Sequence, residues 1–275
     1  MEKREAPIGL LDSGVGGLTV VKEVMEELPR EKIVYYGDTL HLPYGPRLLD
    51  EVRTFVNNIV EFLVEEKKVK AVVLACNTAT SAALDIVKDK YNIPVFGTIK
   101  SVVRLAYEVS KKNKIGVIGT EGTINSQSYQ NALMNLNQEL EIYSAACPGF
   151  VKLVEKGLFK GKKVEEIAHK YLDGLKMAGI DALILGCTHY PYLIPVIRKV
   201  MGKDVTLISS GKAMALEIKN TLRKKELFYQ NNHTKISQQE FIVSDKNKIS
   251  RTFLEKGREY LNLPSLEFKE NNIFK

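Results

Sequence analysis

The sequence predicts an α/β protein of two pseudo-symmetric, doubly wound halves with parallel-rich sheets and a ligand site in the cleft between them. Three observations lead there. Short apolar runs alternate with helix-length amphipathic stretches, the order of parallel strands covered by helices. IGLLDSGVGG from Ile8 is echoed by IGVIGTEGT from Ile115, and Tyr35 in VYYGDT by Tyr143 in IYSAAC, at offsets of 107 and 108. Two apolar runs end in a cysteine followed by small polar residues, Ala-Cys-Asn-Thr at Cys76 and Gly-Cys-Thr-His at Cys187, an offset of 111. Register kept through three elements favours duplication over the chance likeness of βα units. Ligands of open α/β sheets lie beyond the carboxyl ends of the strands, where both cysteines fall.

In chain order, IGLL (8–11) reads as a buried strand closed by the glycine turn DSGVGG, with a helix near 17–28. KIVYY (32–36) is a second strand, and PYGP turns the chain into a long helix near 47–66. AVVLA (71–75) runs through Cys76 into a helix near 78–90, and IPVF (93–96) into one near 98–111. The second series follows: KIGVIG (114–119) with a helix near 124–137, then LEIYS (140–144), the turn CPGF and a helix near 163–178. ALILG (182–186) with a helix near 191–201 and VTLI (205–208) with a helix near 211–225 continue it. EFIVS (240–244) and a helix near 250–261 end the pattern. Gly, Pro, Asn and Asp supply the turns.

Composition narrows the function classes. The 275 residues are 44% hydrophobic and 27% charged, which suits one large or two modest globular domains. No apolar stretch approaches the ~18 residues of a membrane span, and the apolar run after MEKREAP is too short for a signal peptide. The expectation is a cytoplasmic protein. Three cysteines, an odd number, argue for reduced thiols rather than a disulfide framework. The net charge of +7 is concentrated late: from Lys219 to Lys275, 12 Lys/Arg stand against 7 Asp/Glu. Without interleaved aromatic residues this reads as solvated surface, and binding of nucleic acid is not supported.

A cysteine between a strand and a helix sits near the helix N-terminus, where unpaired N–H groups favour a thiolate. A thiol pKa lowered from about 8.5 toward neutrality is therefore expected at both positions. Asn77, Thr78 and Thr188 can bind an anion such as a carboxylate together with those amides. A single such cysteine would read as a small buried hydrophobe; two at equivalent places do not. No metal is expected, because Cys-x-x-Cys is absent and His189 is the only further ligand nearby. Acyl transfer would leave one thiol unused. Two acid/base groups across a cleft suit a racemase, one taking a proton from a carbon and the other returning one to its opposite face. The loop DSGVGGLT is neither a dinucleotide fingerprint nor a Walker loop. Asp12 and Ser13 at its start could bind an amino group or assist a thiol.

DSGVGGLTV (12–20), GDT...PYG (37–45), ACNTAT (75–80), GT.GTI.S..Y (119–129), CPGFV.LVE.G (147–157) and GCTHYP (186–191) together resemble glutamate racemase, within the aspartate/glutamate racemase superfamily. The motifs span about residues 8 to 210. The resemblance implies a cofactor-independent isomerase that interconverts L- and D-glutamate and supplies D-glutamate for peptidoglycan. It implies a first domain of 1–98 completed by 207–275, and a second of 99–206. Cys76 and Cys187 become the two acid/base thiols, with Asp12 assisting Cys76, and His189 and Glu155 assisting Cys187. Substrate contacts fall on Asp12, Ser13, Tyr44, Gly45, Asn77, Thr78, Thr120, Thr123, Thr188 and His189. Cys147 is left structural.

A homodimer is implied too, with C2 symmetry the default. Some members are reported to bind DNA gyrase, but no residue here supports it. The chain departs from the family pattern at Leu40-His41-Leu42, Ile99-Lys100-Ser101-Val102 and Ser209-Ser210. The alternatives are racemisation of aspartate or a hydantoin, a one-cysteine decarboxylase or isomerase, and a non-enzymatic anion binder using the basic C-terminal region. Both cysteines count against the one-cysteine chemistries, and DSGVGG with PYG against aspartate.

Overall fold

β1 (Ile8–Asp12), α1 (Leu18–Glu27), β2 (Ile33–Gly37), α2 (Leu49–Glu61), β3 (Ala71–Leu74), α3 (Asn77–Lys90), β4 (Val95–Gly97) and α4 (Thr98–Val109) alternate along the first part of the chain. β5 (Lys114–Gly119), α5 (Glu121–Asn125), α6 (Ser128–Met134), β6 (Glu141–Ala146), α7 (Pro148–Glu155), α8 (Lys162–Met177), β7 (Ala182–Gly186), α9 (Ile194–Met201) and β8 (Thr206–Ser209) follow. α10 (Ser210–Lys224), β9 (Gln239–Val243), α11 (Arg251–Leu261) and β10 (Lys269–Glu270) come last. These come from a computed structural model that describes residues 3–229 and 239–274.

One sheet has the order β10-β9-β2-β1-β3-β4 and the other β6-β5-β7-β8, and every pairing is parallel. Without β9 and β10, both sheets place their strands in the order second, first, third, fourth. The sequence echo is thus an echo of position: Tyr35 and Tyr143 lie in second strands, and Cys76 and Cys187 follow third strands. β1, β2, β3 and β7 are buried along their whole length. Helices cover both of their faces, so they are continuous apolar runs rather than alternating ones. A single apolar cluster includes Leu10, Leu18 and Phe253 together with Phe150, Leu172 and Leu183, so it reaches from one sheet to the other. α10 packs on both α1 and α4, which sets the two sheets relative to each other.

Several elements differ from the sequence expectation. The helix expected at 124–137 is two short helices, broken where Gln127 takes a left-handed φ of 54° and Ser126 Oγ accepts the Ser128 N–H at 3.3 Å. The helix expected from 191 begins as a 3-10 turn, Tyr190–Leu193, and becomes α9 only at Ile194. Pro191 and Pro195, which have no N–H to give, suit only the first turns of these segments. α7 was expected as a turn; Pro148 opens it at its first position, where the missing N–H costs nothing. The short strand β10 was not expected at all. β8 pairs with β7 along its full length, so a boundary at 206/207 would cut a strand, and the chain leaves the second sheet only after Ser209.

At the N-terminal edge of the first sheet, Lys70 and Glu31 form an ion pair at 2.5 Å with side chains 1% and 2% exposed. Lys70 Nζ also donates to the carbonyls of Arg4 and Leu227, and Glu31 accepts the Tyr229 N–H at 3.0 Å. Replacing one partner strands a buried charge and several backbone groups. Lys70→Met is expected to cost about 3–5 kcal/mol in urea unfolding with little change in catalytic constants. In the basic C-terminal region, Lys219, Arg251, Lys256 and Lys269 each pair with a carboxylate. Residues 230–238 and Lys275 of that region lie outside the described residues. Among the described residues, no helix is long and apolar enough to cross a membrane.

Candidate active site

Cys76 ends the loop after β3 and caps α3: the Ala79 N–H donates to its sulfur at 3.5 Å, and Ser13 lines the same cavity. The helix N-terminus is where the sequence places it, yet the thiol is not made more acidic. Burial, reinforced by the Asp12 charge, pushes Cys76 up to about 12 and outweighs the Ala79 hydrogen bond. Burial therefore favours the thiol form of Cys76 over the thiolate. Alkylation by iodoacetamide, followed residue by residue against pH, is expected to show no inflection for Cys76 below about pH 10; a midpoint near 7 would contradict this.

Cys187 follows β7 but is not at a helix N-terminus. The Tyr190 N–H donates to the Cys187 carbonyl at 3.1 Å, and a turn and a 3-10 segment intervene before α9. The expected pair of helix ends thus exists for one cysteine only. Cys187 has a different companion: His189 Nδ1 lies 3.8 Å from its sulfur, and His189 Nε2 lies 2.5 Å from Glu155 Oε1. Burial opposes a charge on the imidazole, but the hydrogen bonds to Cys187 and Glu155 outweigh it and hold His189 well above 6.5. Glu155 ends α7, whose Phe150 packs edge-on against the Tyr190 ring at 5.3 Å. The Ser250 hydroxyl holds the Glu155 carbonyl at 3.1 Å from the start of α11, and Phe253 stacks on the His189 ring.

Asp12 ends β1, fully buried. It accepts the Gly14 N–H at 3.2 Å and the Thr188 hydroxyl at 3.1 Å. Burial raises its pKa, against the opposing pull of His189 and the N–H groups of Gly14 and Gly17. Its hydrogen bond across the cleft goes to the neighbour of Cys187; its influence on Cys76 is electrostatic. The glycines of DSGVGG serve close approach rather than a phosphate cradle. A β-carbon on Gly16 would lie 2.5 Å from His189 Nδ1 and 2.8 Å from Thr188 Oγ1. Gly45 works alike, since a β-carbon there would lie 2.7 Å from Thr120 Cβ, and its carbonyl accepts the Gly122 N–H at 2.8 Å.

Ser13, Tyr44, Gly45, Cys76, Asn77, Thr78, Thr120, Cys187, Thr188 and His189 line one cavity. Asp12, Thr123 and Glu155 stand behind the lining. Thr78, Thr120 and Thr123 share a hydroxyl cluster, with Thr78–Thr120 at 2.9 Å and Thr120–Thr123 at 3.0 Å. The Tyr44 hydroxyl is already engaged, donating to Asp38 at 2.6 Å.

Sequence reasoning missed Leu42, Pro43, Val151 and Gly186, which complete the walls, and two supports behind them. Tyr35 donates to the Gly14 carbonyl at 2.7 Å. Asp38, buried, accepts from Tyr44 and Ser244 and meets His41 Nδ1 at 2.9 Å. The motif GDT...PYG contains Asp38 and was the available signal. The departure at Leu40-His41-Leu42 is accommodated: His41 stacks on Phe55 with ring centroids 3.9 Å apart, and Leu42 turns toward the cavity. Cys147 is buried at the start of α7, with its thiol directed to the Ala145 carbonyl.

The family model for Asp/Glu/Hydantoin racemase matches residues 8–218. A glutamate racemase of Corynebacterium diphtheriae is 45% identical over 231 residues, covering 84% of this chain and 86% of its own. The crystal structure of a glutamate racemase isoform from Bacillus anthracis superposes with a TM-score of 0.90 at 40% identity, covering 98% of each chain. That of the Francisella tularensis glutamate racemase in complex with D-glutamate does so with 0.89 at 36% identity, covering 98% of this chain and 99% of that one. Paired cysteines on equivalent strands of two like sheets, sharing one small buried cavity, agree with this likeness along nearly the whole chain: it belongs to the Asp/Glu/Hydantoin racemase family.

Proposed function

We propose that this protein is a glutamate racemase that interconverts L- and D-glutamate without a cofactor, using Cys76 and Cys187 as its two acid/base groups. One observation carries the reading: two thiols from the equivalent tips of two sheets line the same cavity. In one direction a thiolate removes the Cα proton and becomes a thiol, while the thiol across the cavity gives its proton to the opposite face and becomes the thiolate. The reverse direction exchanges the roles, and no atom is gained or lost. The Cα–H is a very weak acid, so charge developing on the substrate carboxylate needs donors already in place. The Asn77 amide and the hydroxyls of Ser13, Thr78 and Thr120 border the cavity and supply them. Water-poor walls strengthen those interactions. Asp12 holds the Thr188 hydroxyl, and Glu155 holds His189 beside Cys187.

The product meets the demand for D-glutamate in peptidoglycan. A homodimer working in the cytoplasm fits the reading, because the chemistry needs reduced thiols and closed C2 pairs are the commonest oligomers. The test is NMR of the cofactor-free protein with L-glutamate in D2O, with circular dichroism followed in parallel. Loss of the Cα–H signal together with decay of ellipticity to zero is expected. Exchange without inversion would overturn the two-thiol reading, and turnover of L-aspartate instead of L-glutamate would reassign the substrate within the family.

A further inference from the structure

Tyr129 is fully buried on α6 and touches the surroundings of both cysteines. Its hydroxyl donates to Asn77 Oδ1 at 2.5 Å, directly after Cys76. Its ring abuts Gly186, directly before Cys187: a β-carbon on Gly186 would lie 3.2 Å from Tyr129 Cε2 and 2.7 Å from the Ile118 carbonyl. The Thr98 hydroxyl, at the start of α4, lies beside the same phenol and donates to Thr80 Oγ1 at 3.4 Å. Thr98 is in turn held by Thr80, whose oxygen accepts the Thr98 N–H at 3.3 Å and whose hydroxyl donates to the Leu74 carbonyl at 3.0 Å. Asn77 is 2% exposed, lines the cavity, and its Nδ2 has no hydrogen-bond partner. A buried amide donor left open costs stability unless something else uses it.

We propose that Tyr129 is a positioning residue that fixes the orientation of the Asn77 amide, so that Nδ2 faces the cavity as a ready donor for the substrate carboxylate. A primary amide can turn over and exchange its oxygen for its nitrogen, and a turned Asn77 would offer the carboxylate a repelling oxygen. The phenol proton on Oδ1 removes that option. The ring meanwhile makes Tyr129 a spacer between the tips of β3 and β7, and Gly186 is the residue that lets it come close. The assignment of the carboxylate rests on the reading of the site as a glutamate racemase.

Tyr129→Phe keeps the ring and deletes the hydroxyl. Its KM for glutamate is expected to rise about tenfold with kcat within about threefold, the size of one lost hydrogen bond in binding. In an Asn77→Ala background the same change is expected to have no further effect, because the amide it orients is gone. An unchanged KM, or an equal penalty in both backgrounds, would overturn the proposal; a purely structural role would lower kcat and melting temperature in either background.

The Asn77 side-chain amide signals give a second readout, in 15N-labelled protein. In Tyr129→Phe without ligand they are expected to shift from their unsubstituted positions, and unshifted signals would overturn the proposal. If that variant does not fold, D-glutamate added to the unsubstituted protein is expected to move them, and unmoved signals would overturn it. Unsubstituted protein inactive on glutamate would refute the racemase reading alone, since the ligand-free amide signals still report whether Tyr129 holds Asn77.

Discussion

Replacing Cys76 or Cys187 with serine is expected to lower racemisation by about 10³-fold or more in each single variant. A serine hydroxyl has the size of the thiol but is far less acidic, so it can neither take nor return the proton at useful pH. Inversion needs both faces of Cα, so either loss stops it, whereas a single-nucleophile enzyme would tolerate one of the two. The folds of the variants should persist, since both thiols make only weak hydrogen bonds through sulfur. In D2O, the variant that keeps one working thiol is expected to retain slow exchange of the enantiomer whose Cα–H faces it, with no inversion. Racemisation within tenfold of the unsubstituted protein in either variant would sink the two-thiol mechanism.

His189→Asn is expected to lower kcat/KM by about 10²-fold. The equilibrium constant between enantiomers is one in water, so the drop must be the same for L- and D-glutamate, whereas kcat and KM are free to change unequally. The cause is the loss of the imidazole that joins Cys187 to Glu155. Because Cys187 and Glu155 hold His189 well above 6.5 despite burial, its proton survives as pH rises through 6.5 and is lost only as pH passes the elevated folded value. Activity that depends on the imidazolium is therefore kept through neutrality and lost on the alkaline side. The variant's pH profile should lack that alkaline limb; a profile identical to the unsubstituted protein's would show that His189 does not act through its charge. Glu155→Gln, which leaves the ring in place, is expected to move the limb to lower pH rather than remove it.

The scaffold repeats itself, but the chemistry on it does not. Cys76 has a helix N-terminus and the Ser13 hydroxyl; Cys187 has a turn and an imidazole. Equivalent strand tips thus carry thiols with different neighbours. Burial dominates at Cys76, which is why the sequence argument from the helix dipole alone had the wrong sign there. A dipole effect falls off within one turn and amounts to about 1 kcal/mol, whereas moving a thiolate out of water costs several times more.

Nine of the ten strands among the described residues and both cysteine tips were legible in the sequence, because a parallel strand buried on both faces must be an unbroken apolar run and a duplicated unit leaves its spacing in the chain. Asn77, Thr78, Thr188 and His189 were legible for the same local reason: they sit within two residues of the cysteines they serve. Other features came only from the tertiary structure. These include the break at Gln127, α7 read as a turn, Asp38 holding Tyr44 from behind, Tyr129 reaching Asn77 across 52 positions, and Asp12 bonding Thr188 across 176. Local sequence determines what a strand tip can carry, because period and turn chemistry act over a few residues. Which tips meet, how dry the space between them is, and which neighbour reaches which thiol depend on long-range packing, and that packing sets the acidity of the groups that move the proton.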